Sequence, residues 1–415
     1  MKTQRRKFLE QLVAASFTGL ALPSFARESF PVWAGDGDET YWEGIKKQFA
    51  PADKLVMMNA ANLCPSPTVV NDRVVEFVKA MSRDVSFQYR AKFVVHRKRS
   101  IELLSQFVGA GADEIGITRN TSESNCNIVH GLDLKAGDEV IVWDQNHPSN
   151  RESWMNQAKR TGFTVVKVSV PAQPQSAKDL IEPFAKAITP NTRLISFSHI
   201  SNLSGIALPA TEICQMAKSK GIMTLVDGAQ SLGAVNVNLH AMGCTFYTAS
   251  THKWLMGPFE NGVIYVDKDY FNKIWPNIIG AGWKESTTVD ENLCVLGQRN
   301  EPSPAALPET LTFHQTIGAD RIQKRVVQLN TYLKKRIQEA IPKAEFVTPL
   351  APELSAGIVI VNLPGKEFHE VSDKLYHSFG VAAAPTNGVR LSPHIYNTMK
   401  DIDFVVKSLA TIAGT

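Results

Sequence analysis

Residues Leu225–Pro258 read LVDGAQSLGAVNVNLHAMGCTFYTASTHKWLMGP. The stretch ends an apolar run on a carboxylate, Asp227, and 26 residues later presents Lys253 within Ser250-Thr251-His252-Lys253. A carboxylate at a strand end can hold a pyridine nitrogen protonated. A lysine preceded by small hydroxyl and imidazole groups can form a Schiff base beside a phosphate. Those are the two protein groups that pyridoxal 5′-phosphate (PLP) needs most. A strand-end Asp is often only a helix N-cap and a lysine often only a surface charge. Trp254, Leu255 and Met256, however, give this lysine an apolar setting, which favours the neutral, reactive amine.

Outside this stretch, the 415 residues exceed one ordinary domain, so two lobes are expected. An apolar content of 44% and a charged content of 20% describe a soluble globular chain with ample core. Gln4-Arg5-Arg6-Lys7-Phe8-Leu9 is a twin-arginine pattern, and the apolar run Leu12 to Leu22 follows it. Ser24 and Ala26 then supply the small residues of a cleavage site. Residues 1–26 therefore read as a signal peptide for the twin-arginine export machinery, too short for a permanent bilayer span. The expected protein is exported, periplasmic and soluble, without stable membrane insertion.

Removing residues 1–26, which carry a net +3, lowers the formal charge from +4 to +1. A nearly neutral chain offers no electrostatic case for nucleic acid or anionic membrane binding. His96-Arg97-Lys98-Arg99, the remaining basic cluster, reads as a solvated helix face. The five cysteines, Cys64, Cys126, Cys214, Cys244 and Cys294, are widely spaced with no Cys-x-x-Cys pair. That argues against a metal cluster or disulfide scaffold and for buried free thiols.

After a mobile stretch from Arg27 to Asp38, apolar runs alternate with helical patterns. Strands are expected at Glu114–Thr118, Glu139–Trp143, Thr164–Val168, Arg193–Ser198, Ile222–Val226, Thr245–Thr248 and Gly262–Val266. Helices are expected between them at Ser149–Arg160, Ala177–Ile188 and Ala210–Ser219. Such alternation predicts a largely parallel sheet covered on both faces, with ligands at the strand ends. Pro276 to Pro308 reads as irregular. Ile317–Ala340 reads as one long helix, followed by a strand at Gly357–Asn362, a helix near Phe368–Phe379 and a closing helix from Ile402. The division expected is 27–71 joining a small lobe, 72–300 as the large lobe, and 301–415 as the rest of the small one.

Further motifs support the opening pair. Arg119-Asn120-Thr121-Ser122-Glu123 follows a strand and opens a helix, where N–H groups and the hydroxyls of Thr121 and Ser122 form an anion site. The same residues also read as a capping box. His147 lies in Asp144-Gln145-Asn146-His147-Pro148-Ser149-Asn150, Asn202 in His199-Ile200-Ser201-Asn202-Leu203-Ser204-Gly205, and Arg390 in Gly388-Val389-Arg390-Leu391-Ser392.

In order and context these motifs resemble the class V branch of the fold-type I PLP enzymes, the group containing cysteine desulfurases and isopenicillin N epimerase. The likeness runs over roughly residues 55 to 410. It implies an α/β fold-type I transferase, with a mainly parallel seven-stranded sheet in the large domain and a smaller α+β domain. Lys253 matches the Schiff-base lysine, Asp227 the partner of the pyridinium nitrogen, and Gln230 a group bonded to the ring's phenolic oxygen. Ser250 and His252 match contacts to the cofactor phosphate, His147 the residue stacked on the ring, and Asn202 a neighbour of the cofactor. Arg390 resembles the arginine that grips a substrate α-carboxylate. Gly297-Gln298-Arg299-Asn300 sits where isopenicillin N epimerase-like proteins carry Gly-Thr-Arg-Asp, a segment reaching the neighbouring subunit's cofactor phosphate. That implies a homodimer with Gln298 acting across the interface, although Gln and Asn replace the hydroxyl and carboxylate residues.

A cysteine desulfurase of this type needs a cysteine on the loop before the arginine. Phe379 to Gly388 contains none, and the last cysteine in the chain is Cys294, so desulfuration is disfavoured. Transamination, epimerisation or a C–S/β-lyase step remains, each beginning at Cα with Lys253 as proton shuttle. A non-catalytic PLP-fold binding protein is the contrasting reading. With an export signal, the chain is similar to class V enzymes that tailor the siderophore pyoverdine in the periplasm. The expected substrate is an amino acid or a peptide-linked amino acid.

Overall fold

The computed structural model describes residues 30–35, 38–51, 54–281 and 283–414. The signal peptide read in residues 1–26 lies outside them. In chain order the strands are β1 (Val56–Met57), β2 (Ile115–Thr118), β3 (Glu139–Trp143), β4 (Thr164–Val168), β5 (Thr192–Ser198), β6 (Met223–Asp227) and β7 (Phe246–Ser250). They continue with β8 (Gly262–Val266), β9 (Glu345–Phe346), β10 (Val359–Asn362), β11 (Val381–Ala382), β12 (Ala384–Pro385) and β13 (Val389–Leu391).

Seven strands form one sheet in the order β2-β8-β7-β6-β5-β3-β4. The sheet is parallel except for β8, which runs antiparallel to both neighbours. Its inner strands are buried on both faces, whereas the edge strand β4 exposes Thr164 and Lys167, and alternate residues serve opposite layers. In β3, Ile141 and Trp143 join one buried cluster while Val140 and Val142 join the other. Val226 and Leu225 of β6 divide in the same way.

The chain moves outward from β3 to β4 and then returns to place β5 on the other side of β3. Such a switch opens a crevice at the carboxyl ends of the strands. The loops after β2, β3, β5, β6 and β7 all leave from that edge.

The smaller α+β domain is built on an antiparallel sheet, β12-β13-β10-β9. Its own core includes Leu329, Leu333, Val359, Val361, Val389 and Leu409. β1 pairs in parallel with β11, Val56 opposite Val381, and a further bridge joins Asn59 to Ser392. The segment before residue 72 is thus stitched to the strand that carries Arg390.

The long helix expected at 317–340 is present as Ala319–Ala340; Gly318, at φ 98, separates it from a preceding helix, Leu307–Ile317. Three expectations are corrected. The stretch 276–308 contains helices at Val289–Leu293 and Pro302–Ala305. The His96–Arg99 cluster is not uniformly solvated: Arg97 is sequestered in a two-toothed pair with Asp290, at 2.6 and 2.8 Å.

The described part of the 27–38 stretch is held in place rather than mobile. Trp33 packs edge-on against Tyr41 and Trp42, and Arg321 stacks over it at 4.4 Å. The helix Glu39–Lys46 then clasps the last helix, Met399–Ala413. Glu39 pairs with the fully buried Arg325 and accepts the backbone N–H of Met399. Lys46 pairs with Asp401 at 2.8 Å.

Among the described residues no helix is long and apolar enough to cross a membrane. All five cysteines are free, and four of them are buried.

Candidate active site

Asp227 is the last residue of β6 and is buried. Its carboxylate accepts the Asn125 amide at 2.9 Å and the Ala229 backbone N–H at 3.1 Å. The following residue must be Gly228, since a Cβ there would meet the Tyr247 ring at 2.0 Å. The chain can therefore turn sharply and leave the carboxylate facing the crevice.

Lys253 follows β7 in a tight loop. Met256 returns its N–H to the Lys253 carbonyl at 2.9 Å while holding φ 57. Left-handed backbone at a long side chain is uncommon and persists only where packing enforces it; Trp254, Leu255 and Met256 are all fully buried. Among the described residues, no hydrogen bond or ion pair engages the lysine amine. Burial pulls its pKa down to about 8, Arg390 adds to the depression, and Asp227 opposes it. The three groups are therefore near enough to sense one another across the crevice.

The helix Thr121–Gly131 begins directly after β2, with the Asn120 side chain accepting from the Glu123 N–H. At its first turn, the Thr121 N–H donates to Ser250 Oγ at 2.8 Å, and the two hydroxyls lie 2.6 Å apart. Ser122 donates to Ser149 Oγ at 3.1 Å. Hydroxyls and first-turn N–H groups converging at a helix N-terminus suit a phosphate.

His147 caps the helix Pro148–Thr161, its Nδ1 accepting the Ser149 N–H at 3.2 Å. That bond leaves the ring proton on Nε2. Burial, Lys253 and Arg390 lower its pKa against the pull of Asp227, so the imidazole is neutral at pH 7. His252 is also neutral, brought to about 4 by burial and then by Lys253. Its ring can hydrogen-bond a phosphate. Gln230 accepts the Trp254 indole N–H at 2.7 Å and donates to the Ala61 carbonyl at 2.8 Å, keeping one amide N–H free.

Arg390, in the middle of β13, is 5% exposed and yet has no carboxylate partner among the described residues. It makes two long contacts of 3.4 Å, to the Asn202 carbonyl and to Asn59 Oδ1. Its Nε is buried without a partner, and burial lowers its pKa to about 10. Asn202 therefore enters the site through its backbone oxygen.

Gln298 stands apart from this group. It is exposed, its amide oxygen accepts from Arg90, and no hydrogen bond links it to the cluster within the chain. The structure adds Asn125, Thr248 and Ser149, which the sequence reading did not assign. Asn125 lies in the interior of a helix and Thr248 in the interior of a strand, with no motif of their own. Only their pairing across the fold marks them.

These residues fit PLP. A buried carboxylate with two donors behind it, a partnerless amine and a hydroxyl-lined helix N-terminus answer the three ends of that cofactor. The comparisons agree. The family model described as "Aminotransferase class-V" matches residues 60–405. An isopenicillin N epimerase from Amycolatopsis lactamdurans is 27% identical, covering 90% of this chain and 99% of its own. A protein named probable cysteine desulfurase from Pyrococcus abyssi is 28% identical, covering 87% and 95%. Among solved structures, a mutant of C-DES with glycine covalently linked to the PLP cofactor superposes with a TM-score of 0.79 at 22% identity, covering 88% and 98%. The chain belongs to the class V aminotransferase family of PLP-dependent enzymes.

Proposed function

We propose that this enzyme acts on the Cα of an amino acid or a peptide-linked amino acid, with transamination as the leading outcome. The observation that carries this reading is Arg390, a buried guanidinium with an unpartnered Nε beside the Lys253 amine. A substrate carboxylate would supply the missing acceptors in a planar, two-bond geometry. Bound here, PLP supplies a ring that accepts the electron pair left when the Cα–H bond breaks. Asp227 would hold the ring nitrogen protonated, and His147, neutral, would lie beside the ring. Lys253, freed once a substrate amine takes its place, would take and return the Cα proton at Nζ.

Epimerisation is the second reading, supported by the near full-length similarity to isopenicillin N epimerase. The kinship itself does not disfavour desulfuration, because a relative of that name aligns equally well. The argument against it rests on the missing cysteine between Phe379 and Gly388. The test is incubation of PLP-loaded protein with free and peptide-linked amino acids, with and without a keto-acid acceptor. Keto acid appearing only with acceptor supports transamination, and a D-isomer without it supports epimerisation. Sulfide from cysteine at high turnover would overturn the proposal.

We also propose a homodimer, with Gln298 reaching the second copy's site, and export through the twin-arginine route to the periplasm. The Arg5-Arg6 pattern and the small residues before position 27 support export. Replacing Arg5 and Arg6 by lysine should keep the protein in the cytoplasm in a fractionation assay. Unchanged export would refute that route.

A further inference from the structure

The helix Thr121–Gly131 touches β7 at two places that correspond to the two ends of the cofactor site. At its first residue, Thr121 meets Ser250. One turn later, the Asn125 amide nitrogen donates to Asp227 Oδ2 at 2.9 Å, and its oxygen accepts from Thr248 Oγ1 at 2.7 Å. Four residues of helix rise about 6 Å, and the two residues from Thr248 to Ser250 span about 6.6 Å of strand. The helix and strand thus stay in step between the phosphate end and the ring-nitrogen end. Asn125 and Thr248 are fully buried, and Asp227 nearly so.

The polarity of this chain of bonds is fixed by chemistry. A carboxylate only accepts, so it must receive the amide N–H of Asn125. The amide oxygen then faces Thr248, whose hydroxyl must donate. Thr248 is itself held where its carbonyl accepts the Gly228 N–H at 2.6 Å, directly after Asp227.

We propose that Asn125 is a positioning residue that aims the Asp227 carboxylate at the ring nitrogen, and that Thr248 sets which end of the Asn125 amide faces that carboxylate. Acting from one helix turn below Thr121, Asn125 ties the placement of the carboxylate to that of the phosphate cradle. This inference rests on the reading of Asp227 as the ring-nitrogen partner.

The test uses full-length protein loaded with PLP labelled with 15N at the ring nitrogen and free of substrate, alongside kinetics and cofactor dissociation. Asn125→Ala should weaken cofactor binding about 10-fold or more, since it loses a hydrogen bond to a buried charge, and Thr248→Val, which loses a neutral bond to the Asn125 amide oxygen, by about 2- to 10-fold. kcat should fall by a similar factor with KM nearly unchanged, because the substrate-gripping Arg390 is untouched. Asn125→Ala leaves the Asp227 carboxylate free to turn from the ring nitrogen and should move the 15N resonance toward the unprotonated position. Thr248→Val, almost isosteric, keeps the test open if Asn125→Ala unfolds. Wild-type resonance and kcat in Asn125→Ala or Thr248→Val would overturn the proposal. Asp227→Asn separates the two levels. If it leaves the resonance unmoved, the reading of Asp227 itself fails; if it moves the resonance while the Asn125 and Thr248 variants do not, only the positioning role fails.

Discussion

Replacing Arg390 by methionine should remove activity and, at the same time, stabilise the substrate-free protein. The guanidinium is 5% exposed, its two contacts of 3.4 Å are at the weak limit of hydrogen bonding, and its Nε has no partner. Burial takes its pKa from the ordinary 12.5 to about 10. At about 1.4 kcal/mol per tenfold, that places the cost of burying the charge near ~3 kcal/mol. A cation whose folded pKa is depressed carries this cost in full below about pH 10 and sheds it only above. It is therefore complete at pH 7. Methionine fills much of the same volume without the charge, so the unfolding midpoint should rise, by up to ~3 kcal/mol in stability. Loss of the carboxylate grip should lower kcat/KM by about 100- to 1,000-fold, the usual effect of truncating a buried charged pair. The assays are thermal or denaturant unfolding of cofactor-loaded, substrate-free protein and steady-state kinetics. If Arg390 is a structural ion pair instead, Arg390→Met should cost about 3–5 kcal/mol. A clearly destabilised variant with kcat/KM intact would refute the reasoning.

The Lys253 amine, at about 8, should set the pH dependence of PLP loading onto cofactor-free protein. The loading rate should climb about tenfold per pH unit below 8 and level off above it. Arg390→Met should raise that midpoint and Asp227→Asn should lower it, because these neighbours act in opposite directions; a midpoint near 10 in the unaltered protein would contradict the buried, partnerless amine. Ser250→Ala strips the partner from a buried backbone N–H and hydroxyl, so stability should fall by about 1–3 kcal/mol with weaker PLP retention on dialysis; full retention would argue against the phosphate cradle. Gly228→Ala, whose Cβ would sit 2.0 Å from the Tyr247 ring, should cost about 3 kcal/mol or more, read as loss of soluble protein or a lowered unfolding midpoint; tolerance would show that the turn after Asp227 has slack.

Much of the large domain was legible in the sequence because its strands are short apolar runs, most of them buried, set between stretches of helical periodicity. Glu139–Trp143 and Thr164–Val168 are located to the residue. The helix Ala319–Ala340 was legible from its apolar spacing to within two residues of its start, whereas the helix Leu307–Ile317 before it was not. Asp227, Lys253 and Arg390 stood out through local motifs. Asn125 and Thr248 did not, because a buried polar pair is defined by a partner more than a hundred residues away. Arg97 failed for the same reason: Lys98 and Arg99 after it are exposed, and its partner Asp290 comes from a distant short helix.

The clasp between the first and last helices imposes an order on assembly. Glu39 meets Arg325 across 286 residues, and Lys46 meets Asp401 across 355. At translation speeds of about 5–20 residues per second, Lys46 leaves the ribosome roughly 20–70 s before its partner exists. Trp42 and Ile45 can already lie against Phe313, Ile322 and Val326 by then, but the Lys46–Asp401 pair cannot close until the last helix exists. Full closure of the segment Glu39–Lys46 thus waits for the end of synthesis, and a chain cut short before Met399 would lack the contacts of Lys46 with Asp401 and of Glu39 with the Met399 N–H.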